Sequence, residues 1–445
     1  MDGKIADKDN KENNLKIILI ATSIFIIAIP FIQKYTLESV VSYINNIKVG
    51  AILSTIILFF IPSLCMGIIT PIILKLKLNN LEMAGKVSGK INAIATMGGI
   101  VGTFLGGFIL IPNIGSSNIL FVLTIILVCL IPLVNFKIKE KSSIFVVIII
   151  ISSLIAFNIY KQKNELEGNK VLEIKDSEYV SYDTQYGRVI IYNSILNGEN
   201  IRMLNIDSGY ESATFTDESK VNELVFDYTK FYDLMFNANI EINNTLLIGG
   251  AGYSYPKYYI SHYPNKTMDV VEIDNKITEI AKKYFFLDKL IKDYDLENNQ
   301  RLNLINEDGR VYLNNNAKKY DAILNDAFSG SSPAKTLTTI ENVRNVKKSL
   351  SKNGVYLTNI ISSLEGENSK FIQAEVNTLK HVFKNVYVIP CNYKNDLEKT
   401  QNNMVIATDD DLEYKESYNL NISDNAIVIT DEYCPIDTLI PKSER

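Results

Sequence analysis

The sequence predicts an α-helical membrane domain, then a small antiparallel β unit, then an α/β domain with a parallel sheet. Long apolar runs occupy residues 1–160, apolar and polar residues alternate over 171–215, and strand-like runs alternate with helical periods from Thr245 onward. The 445 residues are enough for two or three domains. We expect a transmembrane domain over 1–160, a linker and β-rich subdomain over 161–240, and the α/β domain over 241–445.

Five apolar runs in the first half approach or exceed the roughly 20 residues that cross about 30 Å of hydrocarbon. The first run is short and contains Pro30, and no small-residue cleavage site follows it, so a cleavable signal peptide is not indicated. The runs hold almost no polar or ionisable residues, which argues against a transport path. The predicted spans are Ile17–Ile32, Val49–Leu74, Ile91–Ile111, Ile119–Phe136 and Ser142–Tyr160.

The third apolar run carries a stripe of glycines. Gly98, Gly102 and Gly106 recur every four residues. Small residues at this spacing let helix backbones approach closely in lipid. We therefore expect the stripe to pack against another helix of the same bundle.

Composition excludes several kinds of function. The net charge of −5 gives no basic footprint for nucleic acid. The four cysteines form no CxxC pattern, and the two histidines, His262 and His381, are far apart in sequence. No disulfide framework and no metal site are therefore expected. Chemistry must depend mainly on carboxylates, hydroxyl groups and the backbone.

Turn signals and hydrophobic periods place the elements of the second half. Asn197-Gly198 is a strong hairpin signal, and a second turn is predicted at Tyr186-Gly187. The predicted strands of the α/β domain are 245–248, 269–273, 302–305, 321–325 and 355–359, and its predicted helices are about 256–262, 275–286, 309–316, 340–351 and 368–383.

The first two of these strands end in residue types that suit a nucleoside. Gly249, Gly250 and Gly252 follow the first strand, where glycines allow positive φ and let a ligand contact the backbone. Glu272 ends the second strand 23 residues after Gly249, and an acidic side chain there suits two hydroxyl groups of a ribose. The alternative is that Asp274 caps the next helix and Glu272 is merely exposed.

Two further carboxylates follow predicted strands. Asp308 could accept a hydrogen bond from an adenine amino group, or it could cap the next helix. Asp326 ends an apolar strand and opens a Ser/Gly loop that runs to Pro333. Ligands of open α/β sheets bind at the carboxyl ends of strands. Asp326 is therefore either a turn or helix cap or a catalytic group.

These motifs together resemble the spermidine synthase family over roughly residues 170–440. The resemblance rests on GGAG, VVEID, EDGR and YDAILNDAFSGSSPA and on their spacing. It implies a Rossmann-like fold of the class I methyltransferase type behind a small β domain. The ending TDEYCP looks like that of a membrane-fused subgroup, as do FFIPSLCMGIITP and GKINAIATMGGIVGTFLGGFILIP in the first half.

The resemblance implies transfer of an aminopropyl group from decarboxylated S-adenosylmethionine to a diamine such as putrescine. Glu272 would hold the ribose hydroxyls, and Asp308 and Gly309 would meet the adenine. Asp326 would accept the proton, beneath a mobile gate at Ser329–Ser332. An alkyl amine is protonated at neutral pH, and a carboxylate can orient the cation and assist proton loss while nitrogen displaces the sulfonium. The thioether leaves as a neutral group, so no metal is needed.

The sequence also departs from the family pattern. Family synthases usually have an aspartate where Gly252 stands and a second one where Ser329 stands. Glutamines expected near the cofactor appear as Val180 and Thr229, whereas Tyr228 is retained on the substrate side. Loss of a carboxylate weakens the binding of a dication. The nucleoside half of the site is therefore expected to be intact and the amine half depleted.

Other functions remain open on this sequence. One is an S-adenosylmethionine-dependent transferase with another acceptor, including methyl transfer. Another is a degenerate nucleoside-binding protein. A nicotinamide dehydrogenase is disfavoured because Tyr255 occupies the third glycine position. The expected partners are a small-molecule amine and the lipid bilayer, and a homo-oligomer is compatible with the sequence.

The lysine distribution conflicts with the expected cofactor. With five spans, the positive-inside rule would place the soluble half outside the cell, where adenosyl cofactors are scarce. If the short last run does not cross, both the lysine bias and the cofactor are satisfied. We therefore expect a multi-pass protein of the cell membrane with an irregular span count and a cytoplasmic C-terminal half.

Overall fold

The computed structural model describes residues 11–44, 47–78, 83–134, 152, 179–207, 209–329 and 332–440. These residues divide into two compact units, with the apolar helices in one and almost all strand residues in the other. The two units are described separately below.

Long apolar helices form the N-terminal unit, in which α1 packs against α2 and α4. Within the described residues, three stretches are long and apolar enough to cross a membrane, judged by length and composition: Glu12–Gln33, Val49–Lys77 and Ala84–Leu110. The helices are α1 (Lys11–Tyr43), α2 (Ile47–Lys77), α3 (Ala84–Phe104) and α4 (Ile111–Val134), with a π-helical segment at Leu105–Leu110.

The first three predicted spans lie in these helices, but the predicted break between the third and fourth is wrong. The chain stays helical from Ala84 to Val134. A π-helical segment, Leu105–Leu110, joins α3 directly to α4 within this continuous helix. The last predicted span, 142–160, lies outside the described residues.

The glycine stripe of α3 has no packing partner among the described residues. A Cβ atom added at Gly98, Gly102 or Gly106 would meet no atom within 4 Å, and α3 has no buried residues. The expected packing of the stripe within the bundle is therefore wrong for the helices that the structure describes.

The small β unit is confirmed as an antiparallel sheet with strand order β1-β2-β3-β4. The turn between β2 and β3 has φ of 53° at Asn197 and 83° at Gly198, as the two positive φ values of a type I′ hairpin require. The strands are β1 (Tyr179–Asp183), β2 (Arg188–Leu196), β3 (Glu199–Ile206) and β4 (Gly209–Phe215).

The main sheet has seven strands. The strands are β5 (Asn244–Ile248), β6 (Thr267–Glu272), β7 (Leu302–Asn306), β8 (Tyr320–Asn325), β11 (Leu350–Ser362), β12 (Asn385–Pro390) and β13 (Gln401–Thr408), with a separate hairpin of β9 (Phe328–Ser329) and β10 (Ser332–Pro333). The helices are α5 (Ser254–His262), α6 (Asn275–Tyr284), α7 (Leu287–Asp293), α8 (Leu296–Asn299), α9 (Gly309–Asn315), α10 (Ile340–Ser349), α11 (Lys370–Lys380) and α12 (Ile436–Leu439), with 3₁₀ turns at Asp227–Asn237, Lys335–Leu337 and Glu367–Ser369.

Strand order defines a Rossmann-type sheet with a switch point. The order is β12-β13-β11-β8-β5-β6-β7. The five predicted strands are confirmed and run parallel to one another. The antiparallel strands β12 and β13 were not predicted from the sequence. The chain order of the parallel strands reverses between β5 and β8, and ligands of such sheets bind at the carboxyl ends of the strands at this point.

A cluster of tyrosines fixes the 3₁₀ helix Asp227–Asn237 to the α/β core. The Asp233 carboxylate accepts hydrogen bonds from the hydroxyl groups of Tyr255 (2.8 Å), Tyr263 (3.0 Å) and Tyr258 (3.2 Å). Tyr232, on the same 3₁₀ helix, packs its ring on Tyr255 with the ring centroids 5.2 Å apart. This segment therefore has a fixed position beside the carboxyl edge of the sheet.

Candidate active site

A cleft of about 780 Å³ opens at the switch point of the main sheet. Its size is that of a small-molecule or cofactor site. Three parts of the chain form its walls: β4 of the small β unit, the 3₁₀ helix Asp227–Asn237, and the loops that follow β5 and β8. Gly249, Gly250, Tyr228 and Asp326 line it, so the structure brings together predicted residues from both the cofactor side and the amine side.

Gly249 allows the loops after β5 and β8 to touch. Its φ of 94° lies in the left-handed region, and a Cβ atom there would lie 2.5 Å from the backbone oxygen of Asp326. The Asp326 backbone N–H donates to the Ile248 carbonyl oxygen at 2.9 Å. Only a residue without a side chain permits this approach, which places Asp326 directly beside the glycine loop.

The Asp326 carboxylate is half-buried among hydrogen-bond donors. Tyr228 Oη donates to Oδ2 at 3.1 Å and Asn359 Nδ2 donates to Oδ1 at 3.2 Å. The hydroxyl group of Tyr232 lies close enough to affect the same carboxylate, yet it makes no hydrogen bond of good geometry. Burial raises the pKa of Asp326, and the three donors oppose that rise. These partners are side chains of the cleft, which does not fit the alternative role of a cap.

Glu272 supports the glycine loop from below. Its Oε2 atom accepts from the backbone N–H groups of Gly250 (2.8 Å) and Ala251 (3.1 Å), and its Oε1 atom accepts from that of Asp274 (3.0 Å). Glu272 is 8% exposed, so it is not the exposed residue of the alternative interpretation, although Asp274 does cap α6 through Lys276 N. An ionised carboxylate has about four acceptor positions, so two ribose hydroxyls would have to displace a loop N–H.

Asp308 and Gly309 lie at the end of β7. Asp308 caps α9, because its Oδ1 atom accepts from Val311 N at 2.9 Å. A Cβ atom at Gly309 would lie 2.5 Å from Ile248 Cγ2, so this position has room only for glycine. Burial, then the carboxylates of Asp274, Asp308 and Glu272, raise the pKa of the Tyr186 hydroxyl. The structure therefore gathers these acidic groups on one side of the glycine loop.

The missing aspartate of the glycine loop has a structural explanation. A Cβ atom at Gly252 would lie 2.5 Å from Ser212 Oγ. Ser212 lies on β4 and shares a hydrogen bond of 2.9 Å with Ser254 Oγ. The small β unit therefore occupies the space that an aspartate side chain at residue 252 would need.

Three further positions at which the sequence departs from the family pattern have other roles in the structure. Ser329 lies in β9 and pairs with Ser332 of β10. Val180 is buried on β1, and Thr229 donates to the Phe226 carbonyl oxygen at 2.6 Å. Three other residues near Tyr228 and Asp326 were not predicted from the sequence: Glu211, Tyr232 and Asn359. No motif marks them, since Glu211 is one polar residue of an alternating strand and the other two follow ordinary apolar patterns.

Acidic side chains dominate the cleft. Glu199, Glu211, Asp227 and Asp326 line it, and Lys230 is the one cationic side chain among its described lining residues. Lys230 is paired with Asp227 at 2.7 Å. Burial, then the carboxylates of Asp326 and Glu211, raise the pKa of Tyr228 well above its ordinary value. Glu211 therefore acts electrostatically on the same tyrosine that donates to Asp326.

Within the parts of the chain that the structure describes, no group of three or more His, Cys, Asp or Glu side chains could hold a metal ion. The donor set around Asp326 consists of tyrosine hydroxyl and asparagine amide groups. This arrangement can hold a desolvated carboxylate against a cationic group.

Comparisons with known proteins agree with the sequence motifs. Residues 233–416 match the model of the spermine/spermidine synthase domain. The chain is 34% identical over 157 residues to the polyamine aminopropyltransferase of Vibrio vulnificus. This match covers 35% of this chain and 47% of the relative. It is 26% identical over 217 residues to the polyamine aminopropyltransferase of Thermoplasma volcanium. That match covers 47% of this chain and 71% of the relative.

Solved structures of the same family are also similar. A probable spermidine synthase from Corynebacterium glutamicum has a TM-score of 0.47 at 16% identity, covering 56% of this chain and 95% of that one. Spermidine synthase from Thermotoga maritima has a TM-score of 0.41 at 16% identity, covering 60% and 86%.

The fold and the cleft define an α/β protein with a Rossmann-type sheet and a small-molecule-sized cleft at its switch point. Residues 233–416 of the chain are similar to the spermine/spermidine synthase domain. The chain spans about half the length of the Vibrio vulnificus relative.

We expect Gly249→Ala to disrupt the site, whereas Gly366→Ala should not. Both positions have positive φ, 94° and 74°, so both variants carry the same kind of backbone strain. Only the Gly249 variant adds a collision with Asp326, because the nearest atom to a Cβ at Gly366 is 3.8 Å away. Thermal unfolding should show a clearly larger loss of stability for Gly249→Ala. Equal losses would contradict the close approach of the two loops.

Proposed function

We propose that this protein is a membrane-anchored aminopropyltransferase, which moves an aminopropyl group from decarboxylated S-adenosylmethionine to a diamine such as putrescine. The observation that carries the proposal is the half-buried Asp326 carboxylate, held by Tyr228 and Asn359 beside the glycine loop. The family match and the acidic lining of the cleft support it.

The residues present fit an adenosyl co-substrate. The N–H groups of the glycine loop and the carboxylates of Glu272 and Asp308 lie at the ends of β5, β6 and β7, which is the edge where nucleosides bind. Glu272 would accept from ribose hydroxyls in exchange for a loop N–H, and Asp308 Oδ2 would accept from the adenine amino group. When bound, the co-substrate supplies the sulfonium carbon that the amine attacks.

Asp326 would carry the proton chemistry. A protonated amine cannot attack carbon, and its pKa near 10 keeps it protonated at neutral pH. Asp326 would attract and orient the cation and then accept a proton as nitrogen bonds to the aminopropyl carbon and the carbon–sulfur bond breaks. Burial raises the pKa of Asp326, which makes the carboxylate a better proton acceptor in the absence of substrate.

The charge of the cleft also favours the decarboxylated donor. S-adenosylmethionine carries a carboxylate that decarboxylated S-adenosylmethionine lacks. Four acidic side chains line the cleft, of which Glu199 is paired with Lys220 and Asp227 with Lys230. Like charges in a partly desolvated site repel, so Glu211 and Asp326 would disfavour a further carboxylate. The donor is a cytoplasmic metabolite, so this function includes the expectation of a cytoplasmic soluble half.

Calorimetry of the full-length protein in detergent tests the proposal. We expect decarboxylated S-adenosylmethionine to bind at least tenfold more tightly than S-adenosylmethionine. Addition of putrescine to the complex with the decarboxylated donor should then release methylthioadenosine and a triamine, which mass spectrometry identifies. Preference for S-adenosylmethionine would instead indicate methyl transfer, and binding of neither would remove the adenosyl site.

Glu211 is the carboxylate that we expect to hold the distal amine in place of the missing aspartate at residue 329. Glu211→Gln removes one negative charge from the cleft and should raise the KM for the diamine about tenfold or more. The dissociation constant of the adenosyl donor should change little. Glu279→Gln, a surface residue paired with Lys276, is the matched control and should leave both constants unchanged. An unaltered diamine KM in Glu211→Gln would exclude this role.

A further inference from the structure

A second, smaller cavity lies next to Asn359, the side chain that donates a hydrogen bond to Asp326. It measures about 10 Å³, which is the size that holds one water molecule. Its polar lining includes Asn325, Thr358, Asn359 and Glu375. Phe328 of the β9–β10 hairpin lies on one side. Asn359 lines both this cavity and the large cleft, so it connects the two.

Three oxygen atoms of residues that line the small cavity have no hydrogen-bond donor in the described chain. They are Asn325 Oδ1, Asn359 Oδ1 and Glu375 Oε2. Asn325, Asn359 and Glu375 are 8%, 4% and 2% exposed, so bulk water does not supply the missing donors. Buried acceptors without a donor are rare in folded proteins. The described hydrogen bonds therefore leave three acceptors of the lining residues without a donor.

Glu375 can supply one of the missing hydrogen atoms itself. Burial raises its pKa to about 8, so the carboxyl group is protonated at neutral pH and donates through its O–H. The titratable groups that face it are Tyr356 on β11 and Cys434, whose pKa values its charge would raise. Lys335, which also acts on Cys434, is paired with Asp437. None of these groups places a cation beside Glu375.

One water molecule in a cavity of this size would donate two more hydrogen atoms. The water and the carboxyl group would then donate three hydrogen bonds, which is enough for the three acceptors. We propose that Glu375, acting as a hydrogen-bond donor together with one bound water molecule, holds Asn359 in the orientation that supports Asp326. An asparagine whose Oδ1 atom is held by donors on one side must present Nδ2 on the other, and Nδ2 is the atom that donates to Asp326 Oδ1.

Glu375 is therefore a positioning residue for the carboxylate of the proposed reaction, and its catalytic meaning rests on the proposed function. Ionisation of Glu375 would replace a donor by an acceptor and put a charge into the cavity. Its pKa in the folded chain, about 8, lies above the ordinary value of 4.5. The stability that it contributes is therefore complete below about pH 4.5 and is lost as the pH rises toward about 8.

The test compares the full-length protein with Glu375→Gln and Glu375→Leu. Glutamine has the shape of the protonated acid and still donates, whereas leucine keeps the volume and donates nothing. We expect Glu375→Gln to keep kcat within about twofold at pH 7 and to lose the decline of melting temperature between pH 5 and 8. The ratio of its kcat to that of the unaltered protein should rise at least fivefold between pH 7 and 9.5, a ratio in which the titration of the amine cancels.

Glu375→Leu should lower kcat at least tenfold at pH 7 with an unchanged dissociation constant for the donor. A Leu variant with full kcat, or a Gln variant whose pH ratio stays flat, would overturn the positioning role. Two readouts need no substrate: the infrared band of a protonated carboxyl group at pH 7, which Glu375→Gln should lack, and the melting profile. If both are as expected while no amine is turned over, the proposed function fails and the donor role of Glu375 stands. If the band is absent, the inference fails whatever the activity.

Discussion

Burial of one carboxylate, that of Asp326, is the constraint on which the rest of the site depends. A charge removed from water is costly unless donors replace the water. Tyr228 and Asn359 provide donors, and Tyr232 lies beside them. Tyr228 and Tyr232 lie on the 3₁₀ helix Asp227–Asn237 and Asn359 lies on β11, so the fold must bring two segments that are distant in sequence to one place.

Two features of the chain provide that precision. The Asp233 carboxylate binds three tyrosine hydroxyl groups and thereby fixes the 3₁₀ helix that carries Tyr228 and Tyr232. Gly249 lets the backbone of Asp326 lie against the glycine loop. The glycine loop and Asp326 are therefore parts of one rigid arrangement. The proposed direct displacement needs such an arrangement because the reacting atoms must be aligned.

Short-range sequence patterns predicted the strands and turns that depend on residues close together in the sequence. Apolar strands between helical periods predicted the five parallel strands, and Asn197-Gly198 predicted its hairpin. The antiparallel strands β12 and β13 were missed because β13 pairs with β11 and β12 pairs with β13 at the end of the sheet, outside the helix–strand repeat. The helical connection near Pro112 was missed because a polar segment between apolar runs is typical of a loop.

Site residues divide in the same way. Asp326, Gly249 and Glu272 follow strands and were predicted from their position, and Asp308 and Asp274 were found in the capping role that local sequence also allowed. Glu211, Asn359 and Glu375 could not be predicted, because each is a polar residue of an ordinary strand or helix pattern. Their importance comes from neighbours distant in sequence, such as Tyr228 beside Glu211 and the small cavity between Asn359 and Glu375.

The most direct test of the account is the kinetics of Asp326→Asn in the full-length protein with decarboxylated S-adenosylmethionine and putrescine. The amide keeps the shape of the carboxylate but neither attracts the ammonium group nor accepts its proton. The expected result is a fall in turnover of about 10² or more, with the dissociation constant of the adenosyl donor within a few-fold of its original value. Near-normal turnover would contradict the account, because it would leave the buried carboxylate with no part in the reaction.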